Sequence, residues 1–120
     1  GEITILPTHR SYIGALKPGE VVLKSQDGKD ELAMAVSGGF IEFTNGTNNL
    51  VVLADTAERA DEIDLTRAEE ARKKAENLKD QAISMDENEY ARILASIDKN
   101  WARIKVARRH HTRRAMNINQ

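Results

Sequence analysis

The chain closes on seven cations with no acid among them. Lys99, Arg103, Lys105, Arg108, Arg109, Arg113 and Arg114 give residues 99–120 a net charge of +7. A segment this basic is an electrostatic handle for an acidic polypeptide, a phosphate, an anionic lipid surface or nucleic acid. The helix macrodipole favours one or two cations near a C-terminus, which accounts for only part of the run. The remaining reactive groups are poorly spaced for chemistry. His110 and His111 are adjacent, so on a helix they point about 100° apart and make a poor chelating pair. His9 is remote from both in sequence. Asp61-Glu62 and Glu69-Glu70 are neighbouring carboxylates of the kind that solvate a helix surface. The motifs G-x-x-x-x-G-K-S/T, G-x-G-x-x-G and His-Glu-x-x-His do not occur, and no serine sits in a nucleophile elbow. The absence of cysteine excludes thiolate metal sites and a disulfide framework. These residue types point to binding, not to catalysis.

The elements that must position the basic run change character near residue 55. Up to that point six acids and four bases leave a net −2, and the pattern is one of short strands and turns. Ile3-Thr4-Ile5-Leu6 reads as a strand ended by Pro7. Tyr12 to Leu16 reads as another, ended by the turn Lys17-Pro18-Gly19. Val21 to Lys24 runs into Gln26-Asp27-Gly28, a hairpin signal, and Glu31 to Val36 returns. Phe40 to Phe43 alternates and meets Asn45-Gly46, a second hairpin signal. Leu50 to Leu53 is the last strand. Strands at this spacing predict an antiparallel sandwich or barrel, and a small β-sandwich over residues 1–54 is the expectation. The chain opens on Gly1 inside what reads as structured sequence, so further strands are expected before it.

Residues 55–120 contain no Pro and no Gly, and they predict a helical hairpin. Thr56 is the expected N-cap of the first helix. Ala68, Ala71, Ala75, Leu78 and Ala82 recur at spacings of three and four, on one helical face. The break falls near residues 84–88, where Ser84 or Asp86 can cap the second helix. Tyr90, Leu94, Ile97, Trp101 and Ile104 form its stripe. The first helix offers mostly one methyl group per position, so the seam is thin, at roughly 0.8 kcal/mol for each buried CH2-sized group. Two readings stay open: an ordinary hairpin packed on the sandwich, or one whose closed and open forms differ by only a few kcal/mol. The fold class is therefore α+β in sequence order. No apolar run approaches the roughly 18 residues that span a bilayer.

Several stretches resemble the epsilon subunit of the F-type ATP synthase, of the bacterial type. Gly1-Glu2-Ile3-Thr4-Ile5-Leu6-Pro7-Thr8-His9 is similar to that family's G-E-x-G-I-L-P-x-H segment, with Thr4 in place of the usual glycine. Ala15 to Glu20 matches the turn that follows. Val36-Ser37-Gly38-Gly39-Phe40-Ile41-Glu42 is close to its S-G-G-F-x-E hairpin. Val52 to Arg59 resembles its crossing from last strand to helix. The resemblance implies a non-catalytic central-stalk subunit, held on the cytoplasmic face of a bacterial cell membrane through its complex. It implies partners in the gamma subunit and the c-ring, with Glu2 toward the ring and His9 toward gamma. It further implies helices that fold down on the sandwich or extend along gamma, where they obstruct rotation in the hydrolysis direction. In the extended state the basic run, Arg103, Lys105, Arg108, Arg109, Arg113 and Arg114, would meet an acidic segment of the beta subunit, with alpha nearby.

Some bacterial members of the family bind ATP through a motif like I/L-D-x-x-R-A. Here it reads Ile63-Asp64-Leu65-Thr66-Arg67-Ala68. By the same resemblance Glu58 is a further acidic position, and Lys74, Lys99 and Arg103 are phosphate-side positions. Asp64 and Arg67 are three apart and share a helix face, so a surface ion pair is the plainer reading. Lysine at 74 and 99 cannot make a bidentate contact, which implies weaker binding where a relative has arginine. No cofactor is required, and ATP would be a regulatory ligand. The competing function is a stand-alone nucleic-acid-binding module using the basic run. Against it, aromatic residues are not interleaved with the cations.

Overall fold

The computed structural model of the chain describes residues 2–81 and 85–118. Among these residues six strands form two three-stranded antiparallel sheets, and two helices follow. Sheet A has the order β1 (Tyr12–Leu16), β4 (Gly39–Thr44), β5 (Asn49–Ala54). Sheet B has the order β2 (Gly19–Lys24), β3 (Glu31–Val36), β6 (Ala57–Arg59). A 3-10 turn at Ala60–Glu62 leads to α1 (Leu65–Asp80) and then α2 (Glu87–Ile118).

The turn chemistry is local and explicit. Between β2 and β3 the Asp27 carboxylate accepts from the Ser25 hydroxyl at 2.6 Å and from the Lys29 amide at 3.0 Å. These bonds hold its carboxyl below the usual aspartate range. Gly28 takes φ 75°, the left-handed conformation such a turn requires. The Asn45-Gly46 signal does close β4 onto β5. The chain changes sheet three times, at Lys17-Pro18, at Ser37-Gly38 and at Asp55-Thr56, and the last two crossings bond to each other. Ser37 N–H donates to Thr56 O at 3.1 Å and Asp55 N–H to Gly38 O at 2.9 Å.

Two expected elements differ. The run Ile3 to Leu6 is not a strand; it leads into a turn in which the His9 amide donates to Leu6 O at 3.0 Å. That turn bonds to the β4–β5 loop instead of a ladder: Thr8 N–H donates to Asn48 Oδ1, and Asn45 Nδ2 to the carbonyls of Thr8 and His9. Thr56 caps no helix. Its hydroxyl and amide both donate to Ser37 Oγ, which commits it to the crossing and lets Ala57–Arg59 join sheet B. The cap of α1 is Asp64, whose Oδ1 accepts from the Arg67 amide at 3.1 Å.

The helices form the expected hairpin. Glu69 meets Arg108 and Arg72 meets Trp101, so numbers rise along one helix as they fall along the other. Asp86 caps α2 through the Glu89 amide at 2.8 Å. The alternative cap Ser84, and Ala82 of the first stripe, lie outside the described residues. Ala68 and Ala75 are the buried positions of α1. Leu78 and Tyr90, at the outer ends of the two stripes, remain exposed. The main core joins sheet B to the helices through Ala33, Ala35, Ala60, Ile63, Ala68, Ala102, Ile104, Val106 and Ala107. Alanine dominates that list, and α1 buries Ala68 and Ala75, one methyl group each, as its spacing predicted. Trp101 is 44% exposed and lies under the Arg72 guanidinium, 4.5 Å from the ring centroid.

A candidate regulatory surface between sheet B and the second helix

Strand alternation puts Glu20 and Val22 of β2, Glu31, Ala33 and Ala35 of β3, and Glu58 of β6 on one face of sheet B. The register confirms the grouping: Glu20 and Glu58 both pair with Ala35, and Val22 pairs with Ala33. The face is thus a small apolar centre flanked by three glutamates. α2 lies across it, with Ile104 and Val106 fully buried.

Each of those glutamates meets a cation of α2. Arg103 Nε is 3.1 Å from Glu58 Oε1. Arg109 reaches both Glu20, at 3.0 Å, and Glu31, at 3.1 Å. Lys105 lies 4.0 Å from Glu20. Arg113 bonds to the Glu31 carboxylate and donates to the Lys29 carbonyl at 2.9 Å. Lys105, Arg109 and Arg113 are four apart and so form one stripe down the helix. The Glu20 and Glu31 side chains are only 9% and 10% exposed, which separates these pairs from ordinary surface bridges. Partial burial acts to raise the Glu31 carboxyl, but the Arg113 hydrogen bond and the charges of Arg113, Arg109 and Lys24 outweigh it, and the group titrates below its ordinary range. Arg108 meets Glu69 of α1 at 3.0 Å, on the more exposed flank. Arg114 is exposed.

The residues assigned to a nucleotide by resemblance are partly assembled. Glu58 and Arg103 pair with each other, and Arg103 Nη1 also donates to Oδ1 of the buried Asn100 at 3.0 Å. Asp64 and Arg67 are linked at 3.7 Å, but the Arg67 side chain is 82% exposed. Lys74 stands exposed on α1 and Lys99 half-buried on α2, without an ion pair among the described residues. Glu2 is exposed. His9 Nδ1 lies 2.7 Å from the Arg10 carbonyl and its ring is edge-on to Phe43. No group of three or more metal-ligating side chains occurs among the described residues.

Spacing along the chain did not find Glu20, Glu31, Glu69 or Asn100 as partners of the basic run. One signal was available: Glu20 and Glu31 stand in phase with Val22 and Ala33, at i and i+2, and so share the face that those apolar residues bury.

Residues 1–60 match the family model described as ATP synthase, Delta/Epsilon chain, beta-sandwich domain. The ATP synthase epsilon chain of Thioalkalivibrio sulfidiphilus is 40% identical over 116 residues, covering 94% of this chain and 79% of that protein. The epsilon chain of Dehalococcoides mccartyi is 44% identical over 118 residues, covering 92% and 77%. Among solved structures, a chain in the Euglena gracilis mitochondrial ATP synthase, OSCP/F1/c-ring in rotational state 1, superimposes with a TM-score of 0.72. At 22% identity, over 85% of this chain and 61% of that one, the likeness is one of fold. With a matching sandwich and relatives this similar over most of their length, the chain belongs to the ATP synthase delta/epsilon family as a bacterial-type epsilon chain, a non-catalytic subunit.

Proposed function

We propose that the sandwich rides on the central stalk, between the gamma subunit and the c-ring, at the cytoplasmic face of a bacterial membrane. There it helps couple ring rotation to ATP synthesis, and its helices act as a brake on hydrolysis. The observation that carries the brake is the join between α2 and sheet B. On the sheet side it consists mostly of alanines and ion pairs, with Ile104 and Val106 of α2 as the larger buried side chains, so the helix can leave without breaking a strand ladder. Undocked, a helix of 32 residues is about 48 Å long, nearly the 50 Å length of the whole molecule. Such a rod carries its cations to an acidic segment of the beta subunit, beside alpha. No helix among the described residues is long and apolar enough to cross a membrane, so attachment through gamma and the c-ring is the reading we favour.

Docking on a neighbour is supported by the outer face of sheet A. Ile13, Phe40, Val51 and Leu53 share that face in register, at 72%, 60%, 46% and 67% exposure. Glu42 stands among them, paired with both Ile13 and Val51, so the face is apolar with one carboxylate, a composition suited to a protein interface. Glu2 toward the c-ring and His9 toward gamma are the contacts we assign at the sandwich end.

The decisive experiment removes residues 65–120 and measures ATPase activity of the assembled head. The cut is placed after β6 and the 3-10 turn because both belong to the sheet B side. Activity should rise, and unchanged activity removes the inhibitory half of the proposal.

Regulatory ATP is the finer reading. Asp64, Arg67, Lys74 and Lys99 are open to a nucleotide, whereas Arg103 must first release Glu58. Calorimetry on the wild type and on Arg67→Ala separates the outcomes, because so exposed a side chain can be removed with little effect on folding. ATP heat lost in the variant supports the site; equal heats mean that no site lies there.

A further inference from the structure

We infer that Glu20 and Glu31 form an intrachain stand-in for an acidic partner, so that the sandwich and an acidic polypeptide compete for the same guanidinium groups. This rests on the proposal that α2 can leave the sheet. Four observations carry it. The two carboxylates belong to adjacent strands and share one face of sheet B. Both are nearly buried beneath α2. Both are occupied by the Lys105, Arg109, Arg113 stripe. Arg113 is held further by the Lys29 carbonyl, so its fork is committed to the β2–β3 hairpin.

The chemistry follows from those contacts. A guanidinium bonded to Glu31 has few donors left for a second carboxylate. Arg109 and Arg113 are therefore engaged while α2 is down and become free for acidic sequence when α2 lifts, whereas Lys105, 4.0 Å from Glu20, stays largely exposed. Arg114 and the largely exposed Lys105 give a docked chain outward charge for a first encounter. In the docked state Glu20 and Glu31 raise the threshold for capture without touching the partner. Their neutralisation should tighten the binding of acidic sequence although it removes no group from the binding helix. A merely structural role for the two glutamates predicts the opposite or no effect.

The test uses the full chain in isolation, apart from the ATP synthase. The chain has no cysteine, so Gln26→Cys and Met116→Cys place one label on the β2–β3 turn and one near the end of α2, both at exposed sites. The distance between labels gives the docked population, and a soluble poly-glutamate peptide is the binding probe. In the wild type, added sodium chloride should reduce the docked population while helix content holds. In Glu20→Gln/Glu31→Gln the undocked-to-docked ratio should rise roughly tenfold, equivalent to about 1.4 kcal/mol, and peptide affinity should rise with it. Arg109→Gln/Arg113→Gln should also undock but bind the peptide more weakly. A docked population indifferent to salt and to Glu20→Gln/Glu31→Gln overturns the inference, as does undocking with no gain in peptide affinity. Should the double variant lose its sheets, Glu20→Gln and Glu31→Gln taken singly decide, each expected to raise both the undocked population and the peptide affinity. No readout involves ATPase activity, so a failed brake and a failed competition remain distinguishable.

Discussion

Glu31 shows how one side chain ties this fold to its surroundings. Lys24 faces it from β2, Arg109 and Arg113 face it from α2, and Arg59 and His110 line the same groove. Because its folded carboxyl titrates below the ordinary glutamate value of about 4.3, its contribution is fully present above that value. It is lost as pH falls through the depressed folded value. Urea unfolding of the wild type and of Glu31→Gln should therefore differ at pH 7 by about 1–2 kcal/mol, the range for a charge-assisted hydrogen bond. The gap should close toward zero as the solution is acidified below the glutamate range. A gap independent of pH would mean that shape, not charge, makes the contact. Asp64 carries a different kind of information at the same scale. It caps α1 and also pairs with Arg67, so its loss mixes a folding cost of about 1 kcal/mol with any effect on a nucleotide. For that reason Arg67, and not Asp64, is the informative site for the ATP question.

Among the elements, the paired crossings between sheets are the least tolerant point. Gly39 opens β4 with φ 141°, and a Cβ there would sit 1.9 Å from the Leu53 carbonyl oxygen. Both the conformation and the space exclude a side chain. Gly39→Ala should cost about 3 kcal/mol or more and lower the unfolding midpoint sharply. Gly28→Ala should cost less, because nothing lies within 4 Å of the position and only its φ is unfavourable. Comparative denaturation of the two variants checks the ranking. The crossings also show where the sequence was readable. Strands β1 to β5 announced themselves by alternation and by turns such as Gln26-Asp27-Gly28, whose causes are local. Both helical stripes did so by period. Thr56 misled because an N-cap and a strand crossing favour the same hydroxyl, and the choice is made by Ser37, nineteen positions away. Ile3 to Leu6 misled because an apolar run becomes a strand only beside a partner; here its turn bonds to Asn45 and Asn48 instead. The clamp on α2 was unreadable for a stronger reason. Arg109 and Glu20 are 89 positions apart, and no spacing rule reaches that far.

For the molecule as a whole, the important division is between the two sheets. The core that contains Ala33, Ala35 and Ala60 is completed by Ala68 and by Ile104, Val106 and Ala107, so sheet B borrows its covering from the helices. Sheet A does not, since its buried Ile41 and Phe43 lie outside that cluster. When α2 lifts, Glu20 and Glu31 return to water and regain hydration, but the small apolar patch between them loses its cover. On the sheet side that patch is lined mainly by alanine, so the cost of opening falls chiefly on Ile104 and Val106 of α2, few enough side chains for a reversible brake. Amide hydrogen exchange can read the division directly. In a chain ending after Ile63, exchange along β3 should quicken by about tenfold for each 1.4 kcal/mol of local stability lost. The β4 amides paired with β1 and β5 should respond much less. In the full chain, raising the salt should move β3 in the same direction as truncation, because screening weakens the clamp while leaving sheet A untouched. Equal acceleration in both sheets would show that the helices stabilise the sandwich as one unit. A helix so coupled could not leave without unfolding its platform.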